Sequence, residues 1–401
     1  MKSGISRKFN IQTPALKCFC GVFILSLLCC ALYARPVHAD GELTDAYFYL
    51  NSKWENDRVN ALKTFISRET EAAVPRILKL LDDPSDMVRK EAATAILRLG
   101  HAGDRISVPA LIERIVIEPK SDVLEAMIFA LASFSEEENT VMTFREAFKT
   151  AKREQKYDII DAMHPLIKSH RRAFENMFEI LSLSVISQDD ELLRLHAVAA
   201  LGEFGDLGYV LKPFLRTITD SNSDVRLVTC RYLGILKPFE ALNPLIDRGL
   251  NDISPAVRKE AVNAVAKYNH ADTFDFFKKV AAGDIDGETR GAAVLAFIGL
   301  KDRRAIGPLR ETLIDSANVV RLNSAYALTF FEVYDGEDEL VWFLWEQNLP
   351  EYRRRAAKGL ANIKSRTVLD DLERALKDWD DEVRDTAFYA LRHRWGYRIT
   401  Q

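Results

Sequence analysis

The sequence predicts an all-α solenoid, in which helical hairpins stack so that each one contacts only its neighbours. Three observations indicate this fold. An apolar residue followed by arginine recurs with steps of 31 or 32 residues from Arg194 to Arg384. Small and large apolar residues follow each arginine at helical spacing. A short turn rich in Asp, Ser, Asn and Pro comes before it, as in DDPSD, DSNSD and DISP. A repeat of this length with a purely helical pattern is typical of a solenoid.

The recurring arginine marks the second helix of each hairpin. Two degenerate copies, around Leu124 and Ile160, fill the gap between the second and third good copies, so about eleven copies run from Trp54 to the end. The good copies place the arginine at Arg58, Arg89, Arg194, Arg226, Arg258, Arg290, Arg321, Arg353 and Arg384.

Within each copy, a small residue stands three positions after the marker and a large apolar residue usually stands seven after it, as Ala92 and Ile96 do after Arg89. This spacing predicts one buried helix face, where the small residue lets the neighbouring helix approach. An earlier helix precedes each marker, and Asp or Ser in the turn can cap the second helix. Prolines expected near the start of the earlier helices, where a missing N–H is tolerated, are Pro75, Pro109, Pro213, Pro244 and Pro308.

The stretch AVPRILKLLDDPSDMVRKEAATAILRLG resembles a HEAT repeat, of the short type also found in phycobilisome lyases. The resemblance covers essentially the whole chain after residue 39 and implies a right-handed superhelix. It also implies a ladder in which the marker arginines bind turn aspartates between successive repeats. We expect that ladder to be interrupted at Leu124 and Ile160. The aspartates carried over from the family pattern are Asp86 with Arg89, Asp224 with Arg226, and Asp381 with Arg384.

Residues 1–39 have the layout of a secretory signal, with bases but no acid before Asp40 and an apolar run from Phe19 to Ala34. Cleavage is expected after Ala39. The alternative is a retained membrane anchor, although 16 apolar residues are fewer than the roughly 20 that span a bilayer. Export to a bacterial periplasm is the predicted location, with secretion or anchoring as alternatives.

Removal of residues 1–39 leaves 50 basic and 59 acidic residues, a net charge of −9. An acidic exported chain offers no net basic field for phosphates, so nucleic acid is not an expected partner. Only Cys230 remains, so no internal disulfide is possible. We expect this cysteine to be a buried small hydrophobe.

The motifs of common catalytic and nucleotide sites, GxSxG, HExxH, the P-loop and GxGxxG, do not occur. The acidic loop DSNSD (220–224) has the opening spacing of an EF-hand, but Val225 stands where its glycine belongs, so an ordinary turn is favoured. We predict no catalytic residue, cofactor or metal ligand.

Residues 135–190 depart from the repeat pattern. We predict one solenoid that spans residues 40–401, with a bend between two arms in this segment.

In HEAT-like solenoids the second helices line the concave surface, where partners commonly lie. Positions two, five and nine after the marker are expected to be exposed there, and in the second half they become aromatic and basic, as interface anchors often are. The alternative is that Tyr326 and Phe330 pack against the next repeat, whose WFLW (342–345) is aromatic. The predicted groove residues are Arg231, Leu295, Tyr326, Phe330, Arg355, Lys358, Tyr389 and His393.

These features predict a non-enzymatic scaffold or adaptor that binds a protein or peptide partner on its concave face within a cell-envelope assembly. Two other functions stay open. One is a structural protein that binds glycan or another envelope component through its aromatic second half. The other is an enzyme or chromophore-handling protein of the lyase type, for which the sequence offers no Cys or His constellation. Membrane contact is expected only through an uncleaved N-terminal segment.

Overall fold

The computed structural model describes residues 37–100, 105–136, 138–188, 190–345 and 348–395. In these ranges the regular structure is entirely helical. Residues 1–36, which hold most of the predicted export signal, lie outside the described residues. The expected cleavage point at Ala39 lies in the first turn of helix α1 (Val37–Tyr49). No helix in the described ranges is long and apolar enough to cross a membrane.

The described ranges contain eleven helical hairpins, as the repeat predicts. The first helices are α1 (Val37–Tyr49), α3 (Val74–Ile77), α5 (Ser107–Ile115), α7 (Glu138–Thr150), α9 (Phe178–Val185), α11 (Leu207–Thr217), α13 (Leu242–Asn251), α15 (Phe274–Gly283), α17 (Ile306–Glu311), α19 (Glu337–Phe343) and α21 (Leu369–Ala375). The second helices are α2 (Glu55–Ser67), α4 (Asp86–Leu99), α6 (Ser121–Ala132), α8 (Arg153–Phe174), α10 (Glu191–Phe204), α12 (Ser223–Leu236), α14 (Pro255–Ala266), α16 (Gly287–Leu300), α18 (Asn318–Thr329), α20 (Pro350–Asn362) and α22 (Asp381–Trp395).

The chain forms two compact units, residues 1–114 and 115–401, so the boundary falls inside α5. The segment 135–190 lies wholly in the second unit. Its long helix α8 is broken at His170, where the backbone has φ −135° and ψ 42°. A bend of the solenoid in this segment stays a prediction.

The predicted buried stripe of the second helices is confirmed. The small residues three positions after the marker and the large ones seven after it are buried, including Ala92 with Ile96 in the first unit and Ala293 with Phe297 in the second. Helix α12 shows how close the stacking is, because a Cβ at Gly234 would lie 2.7 Å from the Cα of Ala264 on α14. Second helices therefore pack directly on one another in successive repeats.

Local signals at the helix ends are confirmed in part, because Ser254 of the turn DISP precedes α14 without a side-chain cap hydrogen bond. Ser85 accepts a hydrogen bond from Val88 N and caps α4, and Asn222 caps α12 by accepting from Asp224 N and Val225 N. Four of the five prolines lie in the first turn of a first helix, but Pro213 lies in the middle of α11. A proline costs an N–H donor wherever it stands, and α11 nevertheless continues through Pro213 to Thr217.

A ladder of arginine–aspartate pairs joins successive repeats, but the aspartate differs from the one expected. Each arginine binds the aspartate about 26 residues later, at the end of the next repeat's first helix, through two nitrogen–oxygen contacts of 2.6 to 2.9 Å. The six such pairs are Arg58–Asp83, Arg194–Asp220, Arg226–Asp252, Arg258–Asp284, Arg290–Asp315 and Arg353–Asp378.

The expected partners lie elsewhere. Asp86 accepts a hydrogen bond from Met87 N at the start of α4, and Asp224 stands exposed in the first turn of α12. Asp381 does contact Arg384, but the two are three residues apart on one helix. The ladder aspartates instead lie before the second helix, about six residues ahead of the next marker.

Each ladder aspartate has a second contact that continues the ladder. Arg258 Nη1 donates to the carbonyl oxygen of Asp252 at 2.9 Å, while its other nitrogens bind the carboxylate of Asp284. Asp252 in turn accepts from Ser254 N at 2.9 Å. One guanidinium therefore fixes the turns of two successive repeats.

The other three markers each donate to the backbone carbonyl oxygen of a ladder aspartate. Arg89 donates to the carbonyl of Asp83, and Arg384 to that of Asp378. Arg321 binds the Asp315 carbonyl and lies 3.4 Å from Glu339 Oε2.

The interruption expected at the two apolar markers is confirmed, since Leu124 and Ile160 are buried among apolar side chains. Near the second of them, Arg153 and Tyr157 of α8 bind the carboxylate of Asp190 instead. This contact joins α8 to the turn before α10 without the usual marker.

Replacing Asp252 with alanine should leave Arg226 buried without its carboxylate. We expect Asp252→Ala to lower the free energy of unfolding by about 3–5 kcal/mol, the usual cost of breaking a buried ion pair. The measurement is the urea dependence of helical circular dichroism. Lys259→Ala is the control, because it removes an exposed pair with Glu288 and should cost no more than about 1 kcal/mol. Equal midpoints for the two variants would show that the ladder does not stabilise the stack.

The same pair should make stability sensitive to acid. Burial alone would raise the pKa of Asp252, but hydrogen bonds from Arg226 and Ser254 N outweigh it, so the pKa is lower than usual. A carboxylate with a lowered pKa stabilises the folded state above its unfolded pKa of about 4, and this contribution is lost as the pH falls through the folded value. The stability difference between wild type and Asp252→Ala should therefore be constant above about pH 5 and shrink below about pH 4. A difference that grows in acid would contradict this assignment.

Candidate partner-binding surface

Seven of the eight predicted groove residues lie on second helices of the second unit, and Phe330 is the C-cap residue that directly follows α18. They come from α12, α16, α18, α20 and α22, and the last four of these contact one another in that order. Arg231, Phe330, Lys358, Tyr389 and His393 are exposed, with Tyr389 at 65%. The structure thus brings most of the predicted residues onto one series of stacked helices. We call this set the second-helix surface.

Three of the eight residues are partly covered. Leu295, Tyr326 and Arg355 are half-buried. Tyr326 packs against the apolar cluster of the last three repeats, which includes Leu340 and Phe343 of α19. The alternative interpretation therefore holds for Tyr326, whereas Phe330 contacts the Tyr326 ring edge-on at 5.1 Å and keeps much of its own ring exposed.

The cations of the surface have acceptors on neighbouring helices. Arg231 Nε lies 3.4 Å from Glu260 Oε1, and Lys358 Nζ lies 2.5 Å from Glu382 Oε1. The hydrogen bond from Lys358, with its positive charge, lowers the pKa of Glu382. Each of these two cations therefore lies beside an acidic side chain of the neighbouring second helix.

A buried polar connection that the sequence pattern missed holds part of this surface. Asn323 stands two positions after Arg321, where an exposed residue was expected, yet it is buried. Its Nδ2 donates to the carbonyl of Gly291 at 2.9 Å, and its Oδ1 accepts from Arg355. A Cβ at Gly291 would lie 3.0 Å from Asn323 Nδ2, so the glycine leaves room for this contact. Asn323 thus links α16, α18 and α20.

Two histidine–carboxylate pairs lie between α8 and α10. His196 Nδ1 lies 2.5 Å from Asp161 Oδ1, and the ring of Tyr157 stacks on that imidazole at 5.3 Å. His164 Nε2 lies 3.4 Å from Glu203 Oε1. Such pairs are ordinary cross-helix contacts, and within the described residues no group of three or more His, Cys, Asp or Glu side chains could hold a metal ion.

The turn 220–224 follows the interpretation that its sequence favoured. The Asp220 carboxylate binds Arg194, and it also accepts a hydrogen bond from Asn222 N at 2.9 Å. These bonds outweigh the effect of burial and lower the pKa of Asp220. The carboxylate that an EF-hand would use is thus a member of the ladder.

A small cavity lies between α19 and α21, away from the eight predicted residues. Its volume is about 270 Å³, and its polar lining includes Asp371, Arg374 and Asp378. The Arg374 guanidinium lies 4.7 Å from the Trp345 ring centre. Burial raises the pKa of Asp371, although Arg374 opposes this. Leu344 and Trp345 of the aromatic run WFLW line this cavity, which the sequence analysis did not predict.

The chain belongs to the HEAT-repeat family. The family model for HEAT repeats matches residues 49–170, 242–329 and 337–396, which is more than half of the chain. No curated protein matches it.

Solved structures with a similar fold include two karyopherins at low sequence identity. Kap95p in complex with RanGDP is 13% identical, with a TM-score of 0.57 over 95% of this chain and 59% of its own. Kap121p is 13% identical, with a TM-score of 0.59 over 89% of this chain and 46% of its own. Kap121p has also been solved bound to Ste12p. This chain therefore spans about half the length of these proteins, and the likeness establishes the fold.

The buried Cys230 should be unreactive in the folded protein. It is a free thiol without exposed surface, and burial raises its pKa to about 12, so almost no thiolate is present at neutral pH. We expect iodoacetamide to leave Cys230 unmodified in the native protein and to modify it fully in urea. Peptide mapping by mass spectrometry distinguishes Cys230 from the cysteines before residue 39. Labelling of the native and unfolded proteins at similar rates would show that α12 is not packed as described.

Proposed function

We propose that this protein is an exported, non-enzymatic scaffold that binds a protein or peptide partner on its second-helix surface. The observation that carries the proposal is the exposure of Phe330, Lys358 and Tyr389 on three successive repeats. Aromatic residues are enriched where proteins bind one another, and Lys358 places an exposed cation between the two aromatic side chains in repeat order. The family and the likeness to karyopherins, which bind protein partners, support a role in protein interaction.

The location of this activity is also part of the proposal. The basic and apolar residues before Asp40 favour export, and we propose the bacterial periplasm and a cell-envelope assembly as its setting. The concave side of the solenoid, which second helices line in HEAT-like proteins, is the proposed position of the partner.

Lys358 and Tyr389 are the best residues at which to test the surface. Tyr326 packs in the apolar cluster and Arg355 binds the buried Asn323, so their loss would disturb the fold as well as the surface. The ring centres of Tyr389 and His393 lie 4.2 Å apart, and 65% of the Tyr389 side chain stays exposed. A photo-crosslinking residue at position 358 or 389 therefore reports on what lies outside the fold.

In the protein's own cells, crosslinkers at positions 358 and 389 should capture the same partner. A crosslinker at the exposed Lys279 of the first helix α15 is the control and should not capture it. The double variant Lys358→Glu and Tyr389→Asp should weaken binding of the captured partner at least about tenfold, because aromatic anchors dominate interface energies. Lys279→Glu should leave binding unchanged.

Equal capture at all three positions, or none at 358 and 389, would contradict the proposed surface. Cell fractionation in the same experiment tests the location. The periplasmic fraction should contain the adduct with an N-terminus at Asp40. An adduct found only in the cytoplasm would overturn the export part of the proposal, but it would not contradict the proposed binding surface.

A further inference from the structure

The cavity between α19 and α21 combines apolar walls with polar side chains. Its apolar lining includes Val341, Leu344 and Trp345, and its polar lining is Asp371, Arg374 and Asp378. The volume of about 270 Å³ is just below the usual range of about 300–1,000 Å³ for small-molecule sites. The cavity therefore has room for one ring of a ligand.

Two of the polar groups have hydrogen-bonding capacity that the described part of the chain does not use. The Asp371 side chain is only 19% exposed, yet it accepts no hydrogen bond from a described residue, and Arg374 Nη1 lies 3.8 Å from its Oδ1. Arg374 likewise donates no hydrogen bond to a described residue. A largely buried carboxylate without a hydrogen bond is costly, so a ligand that donates to it would be favoured here.

The third polar group, Asp378, already has partners. Its carboxylate binds Arg353 through two contacts of 2.9 Å and accepts from Asp380 N at 2.8 Å. Arg353 therefore balances the charge of Asp378, and Arg374 balances that of Asp371. With its charges balanced in this way, the lining favours neither an anion nor a cation.

Trp345 gives the cavity an exposed aromatic surface. The residue is 44% exposed, and the Arg374 guanidinium lies 4.7 Å from its ring centre. The apolar cluster of the last three repeats includes Phe343 and Leu344 without Trp345, so the core does not account for this ring. The face of an aromatic ring carries partial negative charge and attracts polarised C–H groups.

A sugar ring matches these features better than an ion or an apolar side chain. The C–H groups on one face of a pyranose pack against an aromatic ring, and each hydroxyl group at its edge both donates and accepts hydrogen bonds. Adjacent hydroxyls of one ring can donate to Asp371 and accept from Arg374. An apolar side chain of a protein would leave both of these groups unpaired.

We infer that the cavity between α19 and α21 binds one uncharged sugar ring, which packs against Trp345 and forms hydrogen bonds with Asp371 and Arg374. A free sugar and a ring within a glycan chain share this chemistry, and the test separates the two sources. The cavity lies away from the second-helix surface, so the inference does not depend on the function proposed for that surface.

The test measures binding of sugars to the full chain by ligand-observed NMR. The panel consists of the methyl glycosides of glucose, galactose, mannose and N-acetylglucosamine, and of the corresponding linear tetrasaccharides. At least one sugar should bind, and Trp345→Ala should weaken its binding about tenfold or more, because the ring supplies the apolar contact. Tighter binding of the tetrasaccharide than of the methyl glycoside would indicate a ring within a glycan chain, and equal binding a free sugar.

Trp342→Ala is the matched control. Trp342 stands three residues before Trp345 and is equally exposed, at 43%, but it does not line the cavity. This variant should bind the sugar as the wild type does. Urea unfolding of each variant checks that the fold is intact.

Asp371→Leu distinguishes a sugar site from a site for an apolar side chain. The substitution keeps the approximate size of the side chain and removes the hydrogen-bond acceptor, so it should weaken sugar binding as strongly as Trp345→Ala does. A site for an apolar side chain of a partner would be unaffected or improved by the same change.

Three results would overturn the inference. They are no binding of any panel sugar to the wild type, equal loss in Trp342→Ala and Trp345→Ala, and unchanged sugar binding by Asp371→Leu. If no sugar binds and Trp345→Ala also loses the partner captured at positions 358 and 389, the cavity belongs to the protein partner instead. Crosslinking of the partner to a chain with an intact cavity succeeds or fails independently of the sugar panel.

Discussion

The contact between an arginine of one repeat and an aspartate of the next is the interaction on which the stacking depends. A guanidinium and a carboxylate can form two parallel hydrogen bonds in one plane, and this fixes orientation as well as distance. In Arg226 and Asp252 the pair is buried, and its aspartate also accepts a backbone N–H. Apolar packing alone would allow neighbouring hairpins to slide, whereas the ion pair favours one register.

The ladder also explains how a chain with one cysteine in its repeats forms a long stack without covalent links. A repeat protein gains its stability from each unit and from each interface between neighbours. Here each interface combines close helix contact, as at Gly234 against Ala264, with a buried ion pair. At Ile160 the marker is apolar and cannot bind an aspartate. There Arg153 and Tyr157 bind Asp190, and this contact joins the two repeats in place of the ladder pair.

The sequence predicted the helices and their buried faces because these follow from spacing within one helix. It predicted the wrong ladder aspartates because the pairing carried over from the family joined each arginine to an aspartate two or three residues before it, as with Asp224 and Arg226. The aspartate six residues before the marker recurs more regularly, and it binds the arginine of the preceding repeat, as Asp220 binds Arg194. Burial of Asn323 was missed because it depends on side chains from neighbouring repeats, whereas packing of Tyr326 against the next repeat was the alternative that the sequence left open.

The residues of the second-helix surface differ in what the fold requires of them. Arg355 also holds neighbouring helices together through the buried Asn323, so its chemistry is partly explained by stability. Phe330 and Tyr389 keep about half or more of their surface exposed, so packing of the stack accounts for only part of these two side chains. The proposed binding of a partner therefore depends on the aromatic rings that the fold leaves exposed, and not on the residues that join one repeat to the next.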